Sequence, residues 1–421
     1  MSLQKLKLLY IAQGFGRSLG ISGGDMRFIE TAKRIVKRGF SITILTTRSG
    51  RILCRKYGLK NVNYLVTGAT LISEDERIER SKYERALSYI AIMIKVIPII
   101  SKLRALKNYK RREIFDIVYA TSDFFVDVLP ALIMKFLGIS KRAIVFIHHE
   151  YPLSLRRKPY LISFIIALVQ RLIHYLVAKC FDAVFVCSTC EGGKIAYKLK
   201  KINKNLMIIY MKNGIDLKLI EQIRSISREI PRKYHLCYVA ALRESKGVFD
   251  FIKIVDLLVN RYHRHIKCCL IGSGAPELIR RIEKEIRIRN LHKTIDLKGF
   301  IPSRFNFYRV LSECKILVHP SYEEGWCITI LEALALGLQV VAYDLPAYRP
   351  IYRGLITVVP VGSIREMADA ILQMIKDDTK KVRNLIGASY KLLERYDWER
   401  ISLEEAIILK RLILNKDRFL R

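Results

Sequence analysis

Short, strongly apolar runs recur along this chain, and between most neighbouring runs lies a longer segment whose apolar residues repeat at helical spacing. "LKLLYIAQG", "FSITILTT", "FDIVYATS", "RAIVFIHHE" and "FDAVFVCS" form a first series, and "YHLCYVAAL", "IKCCLIGSG", "TIDLKGF", "CKILVHPS" and "LQVVAYD" a second. Runs that are apolar on both sides suit strands buried on both faces, and strands alternating with helices build parallel sheets. At 421 residues the chain exceeds one ordinary core. The expected fold class is therefore α/β, with two doubly wound domains facing a cleft. The reading places the first domain at 1–212 and a linker at 213–230, opened by the turn pair Asn213-Gly214. The second domain follows at 231–394. A terminal amphipathic helix at 395–421 either crosses back to the first domain or lies on a membrane.

Charge narrows the partners. The net charge is +35, and residues 1–210 hold 37 of the 74 Lys and Arg but only 14 of the 39 acidic residues. The excess is densest in "KLRALKNYKRRE" and "SLRRKPY", each beside an apolar stretch. Such a surface suits an anionic membrane face, and a merely solvated basic surface is the plain alternative. No recognition motif accompanies the charge, so no nucleic acid is expected. Nine cysteines at irregular spacing do not form a disulfide framework, and the single C-x-x-C, Cys187–Cys190, has no second pair to complete a zinc site. The apolar stretches "ALSYIAIMIKVIPIIS" and "YLISFIIALVQRLIHYLVAKC" are broken by Lys95 and Pro98 and by Arg171, His174 and Lys179. With no leader pattern at the N-terminus, the expectation is a cytoplasmic protein, peripheral on the inner face of the cell membrane.

Candidate site residues cluster at strand ends. Gly23 and Gly24 precede a helix, whose N-terminus suits a phosphate; a tight turn explains them equally well. "VAALRESKG" places Arg243 and Lys246 in a strand-end loop, where a fork and a point charge can grip a diphosphate or simply stay solvated. Gly272 and Gly299 mark further strand ends, as turns or as nucleotide contacts. "PSYEEGWCITILEALALG" ends a strand and starts a helix near Ile328. Glu324 then sits in the loop and Glu332 about one turn into the helix. A carboxylate there can accept both hydrogen bonds of a ribose diol. The backbone N–H groups of Gly325, Trp326 and Cys327 can hold phosphate or sugar oxygens.

The stretch "PSYEEGWCITILEALALGLQVVAYD" resembles the signature of glycosyltransferase family 4, the retaining enzymes with two Rossmann-like domains known as GT-B. The family's E-x7-E pattern falls on Glu324 and Glu332. Gly23-Gly24, "NGID" at 213–216, "VAALRESKG", "GSG" at 272–274, "GF" at 299–300 and "YDW" at 396–398 follow in the family's order. Cys327 departs from the pattern, replacing its second glycine, and Gln339 replaces a proline.

The resemblance implies that Arg243 and Lys246 hold the donor diphosphate and neutralise the leaving group without a divalent metal or cofactor. It implies that Glu332 binds the ribose hydroxyls, that Glu324 addresses the donor sugar, and that Gly23 or Gly24 offers a backbone contact to phosphate. His148 or His149 matches an active-site histidine of the first domain, with His148 preferred. The implied activity is retaining transfer of a sugar from a nucleoside diphosphate to a hydroxyl on a lipid, lipid-linked sugar or glycan. A sugar-nucleotide epimerase, or a non-catalytic binding protein of the same fold, is the alternative.

Overall fold

The computed structural model describes residues 5–14, 22–67, 82–110, 114–150, 160–227, 232–376 and 393–414. The chain divides into two compact units, one comprising Met1–Lys212 with Glu399–Arg421 and the other Asn213–Trp398.

The first unit holds a seven-stranded parallel sheet in the order β3-β2-β1-β4-β5-β6-β7. Its strands are β1 (Leu6–Ala12), β2 (Phe40–Thr47), β3 (Asn63–Thr67), β4 (Phe115–Ala120), β5 (Ser140–Ile147), β6 (Ala183–Cys187) and β7 (Met207–Met211). Between them run α1 (Gly23–Ile35), α2 (Arg48–Lys56), α3 (Lys82–Lys110), α4 (Phe125–Phe136), α5 (Tyr160–Cys180) and α6 (Cys190–Ile202). Val118, Val145 and Val184 on adjacent central strands are fully buried, and Ile92, Ala131 and Val177 of α3, α4 and α5 join their cluster.

The second unit repeats the plan with six parallel strands in the order β10-β9-β8-β11-β12-β13. It runs α7 (Leu217–Ser227), β8 (Tyr234–Val239), α8 (Val248–Asp256), β9 (Cys268–Ile271), α9 (Pro276–Ile288), β10 (Ile295–Gly299), α10 (Arg304–Ser312) and β11 (Cys314–His319). Then come α11 (Ile328–Ala335), β12 (Gln339–Tyr343), α12 (Arg349–Tyr352), β13 (Thr357–Val359) and α13 (Ile364–Lys376). A last helix, α14 (Trp398–Ile413), falls almost wholly within the first unit.

Both sheets reverse their strand order beside the first strand, between β1 and β4 and between β8 and β11. That switch point opens a crevice at the carboxyl ends of the strands, where ligands of such sheets bind. The two doubly wound sheets expected from the apolar runs are present. Three strands were missing from that reading: β3, β7 and β13. All three lie at sheet edges and are short, five, five and three residues, which gives little run to read. The segment read as a linker instead folds largely as α7, which buries Leu217, Ile220 and Ile223 and packs on α10. Of the basic stretches, residues 154–159 of "SLRRKPY" and 111–113 of "KLRALKNYKRRE" lie outside the described residues. All nine cysteines are free thiols. No helix among the described residues is long and apolar enough to cross a membrane.

Candidate active site

In the second unit the loops after β8 and β11 close on each other. Gly247 has φ +73°, and a Cβ there would lie 1.9 Å from the Pro320 carbonyl oxygen, so only glycine permits this approach. The Tyr322 N–H donates to the Ser245 carbonyl at 3.0 Å, and the buried Tyr238 hydroxyl donates to the Lys246 carbonyl at 3.0 Å. The short helical turn Glu244–Lys246 is thereby pinned against the start of the Glu324 loop.

The Lys246 ammonium donates to the Glu323 carbonyl and pairs with Glu324 Oε1, both at 2.8 Å. Its third N–H has no protein partner among the described residues. Arg243 is exposed, and its guanidinium makes no ion pair among the described residues. The structure therefore brings Lys246 and Glu324 together, with Arg243 in the same loop.

Sequence reasoning missed a third partner. His319, the last residue of β11, is buried, with Nε2 3.1 Å from Glu324 Oε1 and 3.3 Å from Cys327 Sγ. Burial alone would lower its pKa, but the Cys327 sulfur and the Glu324 carboxylate raise it to about 10. Burial would likewise raise Glu324, but the hydrogen bond from His319 and the charge of Lys246 hold it at about 2. Cys327, the departure from the family pattern, thus packs its sulfur against His319 while serving as the N-cap of α11. His319, Glu324 and Cys327 also place one ligand atom each within 4.8 Å of one another, close enough to hold an ion. The Lys246 ammonium already supplies positive charge to that carboxylate.

These shifts give a pH prediction. His319 is raised above its ordinary 6.5, so its contribution is complete below pH 6.5 and fades as pH climbs towards 10. Glu324 is depressed below 4.5, so its contribution is complete above 4.5 and fades as pH falls towards 2. The stability of residues 319–327 should therefore peak between pH 4.5 and 6.5. Hydrogen exchange across pH should show this window, and His319→Gln should flatten its alkaline side.

Glu332 is buried on α11, one turn from the helix start as expected. Its Oε1 accepts from the Arg304 guanidinium and, at 3.2 Å, from the Tyr308 hydroxyl, both on α10. Its Oε2 carries no hydrogen bond among the described residues. Neither Arg304 nor Tyr308 was legible in the sequence, because the pairing spans two helices.

Gly272 lies 2.0 Å, measured from a hypothetical Cβ, from the Ala240 carbonyl oxygen. Its N–H donates to Gly299, tying the ends of β9 and β10 to the same strand-end face. The Trp326 indole is buried against Tyr352 and Tyr396.

In the first unit, α1 begins at the crevice between β1 and β4. Ser22 and Asp25 form a reciprocal capping box over its start, leaving Gly23 exposed at the N-terminal turn. A Cβ on Gly24 would lie 3.0 Å from His148 Nε2, so the structure brings these two residues together. His148 Nε2 lies 3.1 Å from the Thr121 carbonyl, which fixes the proton on Nε2 and leaves Nδ1 an acceptor. Burial, then the Arg27 charge, lower its pKa to about 4, so the ring is neutral. The His149 ring is exposed instead. Behind His148, Arg27 pairs with Glu405 of α14 at 2.7 Å, both almost wholly buried. They line a small cavity with Tyr10, Tyr119 and His148, with room for about one water molecule.

Residues 220–392 match the family model of glycosyl transferases group 1. An uncharacterized glycosyltransferase of Methanocaldococcus jannaschii is 25% identical over 315 residues, covering 71% of this chain and 76% of that relative. The poly(glycerol-phosphate) alpha-glucosyltransferase of Bacillus subtilis is 26% identical over 170 residues, 39% of this chain but only 24% of that protein. The structure of Anabaena HepE with UDP and glucose superposes with a TM-score of 0.71 at 15% identity, over 96% of this chain and 99% of that one, and so shares the GT-B fold. The Lys246–Glu324 loops thus lie within the part of this chain that matches the model of the glycosyl transferases group 1 family.

Proposed function

We propose that this glycosyltransferase moves a sugar from a nucleoside diphosphate to a hydroxyl acceptor with retention of anomeric configuration. The observation that carries this reading is the second unit's strand-end face. Lys246, which shares a loop with Arg243, is ion-paired with Glu324, and Glu324 and Glu332 are in turn held by His319 and Arg304. A nucleoside diphosphate sugar has matching parts. Its phosphates take Arg243 and Lys246, and its ribose diol takes the open Oε2 of Glu332. Its sugar hydroxyls take Glu324 and the N–H groups of Gly325–Cys327. The UDP and glucose held by the Anabaena neighbour support that class of donor.

In the transition state the bond from the anomeric carbon to the phosphate oxygen breaks, and negative charge grows on that oxygen. Lys246 and Arg243 stabilise it as it forms, the work a divalent metal does in other sites. Both glutamates come from one loop and helix and are already committed to cations, so neither is assigned as nucleophile. The acceptor hydroxyl attacks from the leaving-group side and passes its proton to the departing phosphate.

The acceptor class proposed is a lipid, lipid-linked sugar or glycan at the inner face of the cell membrane, in keeping with the basic excess of the first 210 residues. Glu332→Gln tests the donor site, because it keeps the side chain's size and removes its charge. Calorimetric titration with UDP, GDP and ADP should show the nucleotide that binds wild type bound at least about tenfold more weakly by the variant. Equal affinity would remove Glu332 from the ribose site.

A further inference from the structure

One face of the first sheet is covered by α3, α4 and α5, with α4 packed against both others. On α5 the inward residues Ile173, Val177 and Ala178 join the core. The outward positions Ile165, Leu168, Val169, Leu172 and Tyr175 recur at helical spacing and are nonetheless apolar, with Leu172 61% exposed. The same holds on α3, where Ile92, Val96 and Ile100 are buried while Ile90, Ile94 and Ile97 are exposed. Phe136, closing α4, is 72% exposed. An ordinary surface helix carries polar residues on its outer side, and an exposed apolar layer of this extent marks an interaction surface.

The charges around the layer are of one sign. Lys102, Arg104, Arg171 and Lys179 are exposed on α3 and α5, and the described side chains of the three helices include no exposed Asp or Glu. A second copy of the chain would set these cations against one another. An anionic bilayer would neutralise them while its acyl boundary takes up the isoleucines and leucines.

We propose that the outer layer of α3, α4 and α5 is the surface by which this chain sits on anionic lipid, with residues 90–97 of α3 and 164–175 of α5 lying in the interface. The proposal rests on the reading that the acceptor is offered at a membrane, but its test reads binding without turnover, so the two can fail separately.

The full chain is floated with vesicles of phosphatidylglycerol mixed with phosphatidylcholine, and with phosphatidylcholine alone. Wild type should float with the anionic vesicles and stay behind with the neutral ones. Leu168→Glu/Leu172→Glu, at outward positions that leave the core intact, should lower the bound fraction at least about tenfold. Ile226→Glu/Ile288→Glu makes the same charge change at exposed sites of the second unit and should float like wild type. Four results would overturn the assignment: no flotation of wild type, unchanged flotation of the α5 variant, an equal loss in the second-unit control, or a wild-type dimer that the α5 variant dissociates in lipid-free ultracentrifugation. Nucleotide release in the absence of lipid, followed in parallel, reports on the transferase reading alone.

Discussion

Lys246→Ala is expected to slow nucleotide release from the sugar donor by about 10²–10³-fold, the loss typical of removing one fixed group from a developing oxyanion. The reason is pre-organisation. Lys246 is held by the Glu323 carbonyl and the Glu324 carboxylate, and its backbone carbonyl is fixed by Tyr238. Little rearrangement remains to be made when charge develops on the phosphate. Lys246→Arg keeps the charge but cannot fit a compact ammonium's place between two acceptors 2.8 Å away, so it should recover only part of the rate. Steady-state and single-turnover rates on the same donor should show the effect in turnover more than in donor affinity. A Lys246→Ala protein that turns over like wild type would refute the role.

The second large effect is on stability. Glu405→Ala should destabilise the first unit by about 3–5 kcal/mol, because it leaves the Arg27 guanidinium buried without its counter-ion. Arg27 and Glu405 side chains are 3% and 0% exposed, and the Tyr119 hydroxyl also reaches Glu405. Arg27 lies over the Phe146 ring at 4.3 Å, and Phe146 stacks on His148 at 4.4 Å, so the loss should loosen the histidine too. The double variant Arg27→Met/Glu405→Leu removes both charges and should regain much of the stability, since a buried pair competes poorly with apolar packing. Urea unfolding, followed by hydrogen exchange within the first unit, separates this transition from that of the second unit. A Glu405→Ala chain with an unshifted first-unit transition would contradict the account.

The fold was legible where strands are buried on both faces. β1, β4, β5, β8 and β11 read as continuous apolar runs because each has a neighbour on either side and helices on both faces. The edge strands β3, β7 and β13 did not: they run for only five, five and three residues, and β3 and β13 open on the exposed polar residues Asn63 and Thr357. In the site, Glu324 and Glu332 were legible from spacing along one loop and helix. Their partners were not. His319 looked like the end of a strand, Arg304 sits 28 residues before Glu332, and Arg27 meets a glutamate 378 residues away. Sequence spacing reports neighbours on one element, whereas these contacts exist only after the sheet has brought separate elements together. His319 had one readable sign, an imidazole five residues before Glu324 and eight before the cysteine that replaces the family's glycine.

The central claim is that the second unit's strand-end face holds a nucleoside diphosphate sugar for transfer. Incubating the chain with UDP-, GDP- and ADP-sugars, with and without lipid acceptors, and following nucleotide release tests it most directly. The account predicts slow release from one donor class in wild type and a rate lower by about 10²–10³-fold in Lys246→Ala. No release from any donor under any of these conditions would contradict it and favour a non-catalytic binding protein of the same fold.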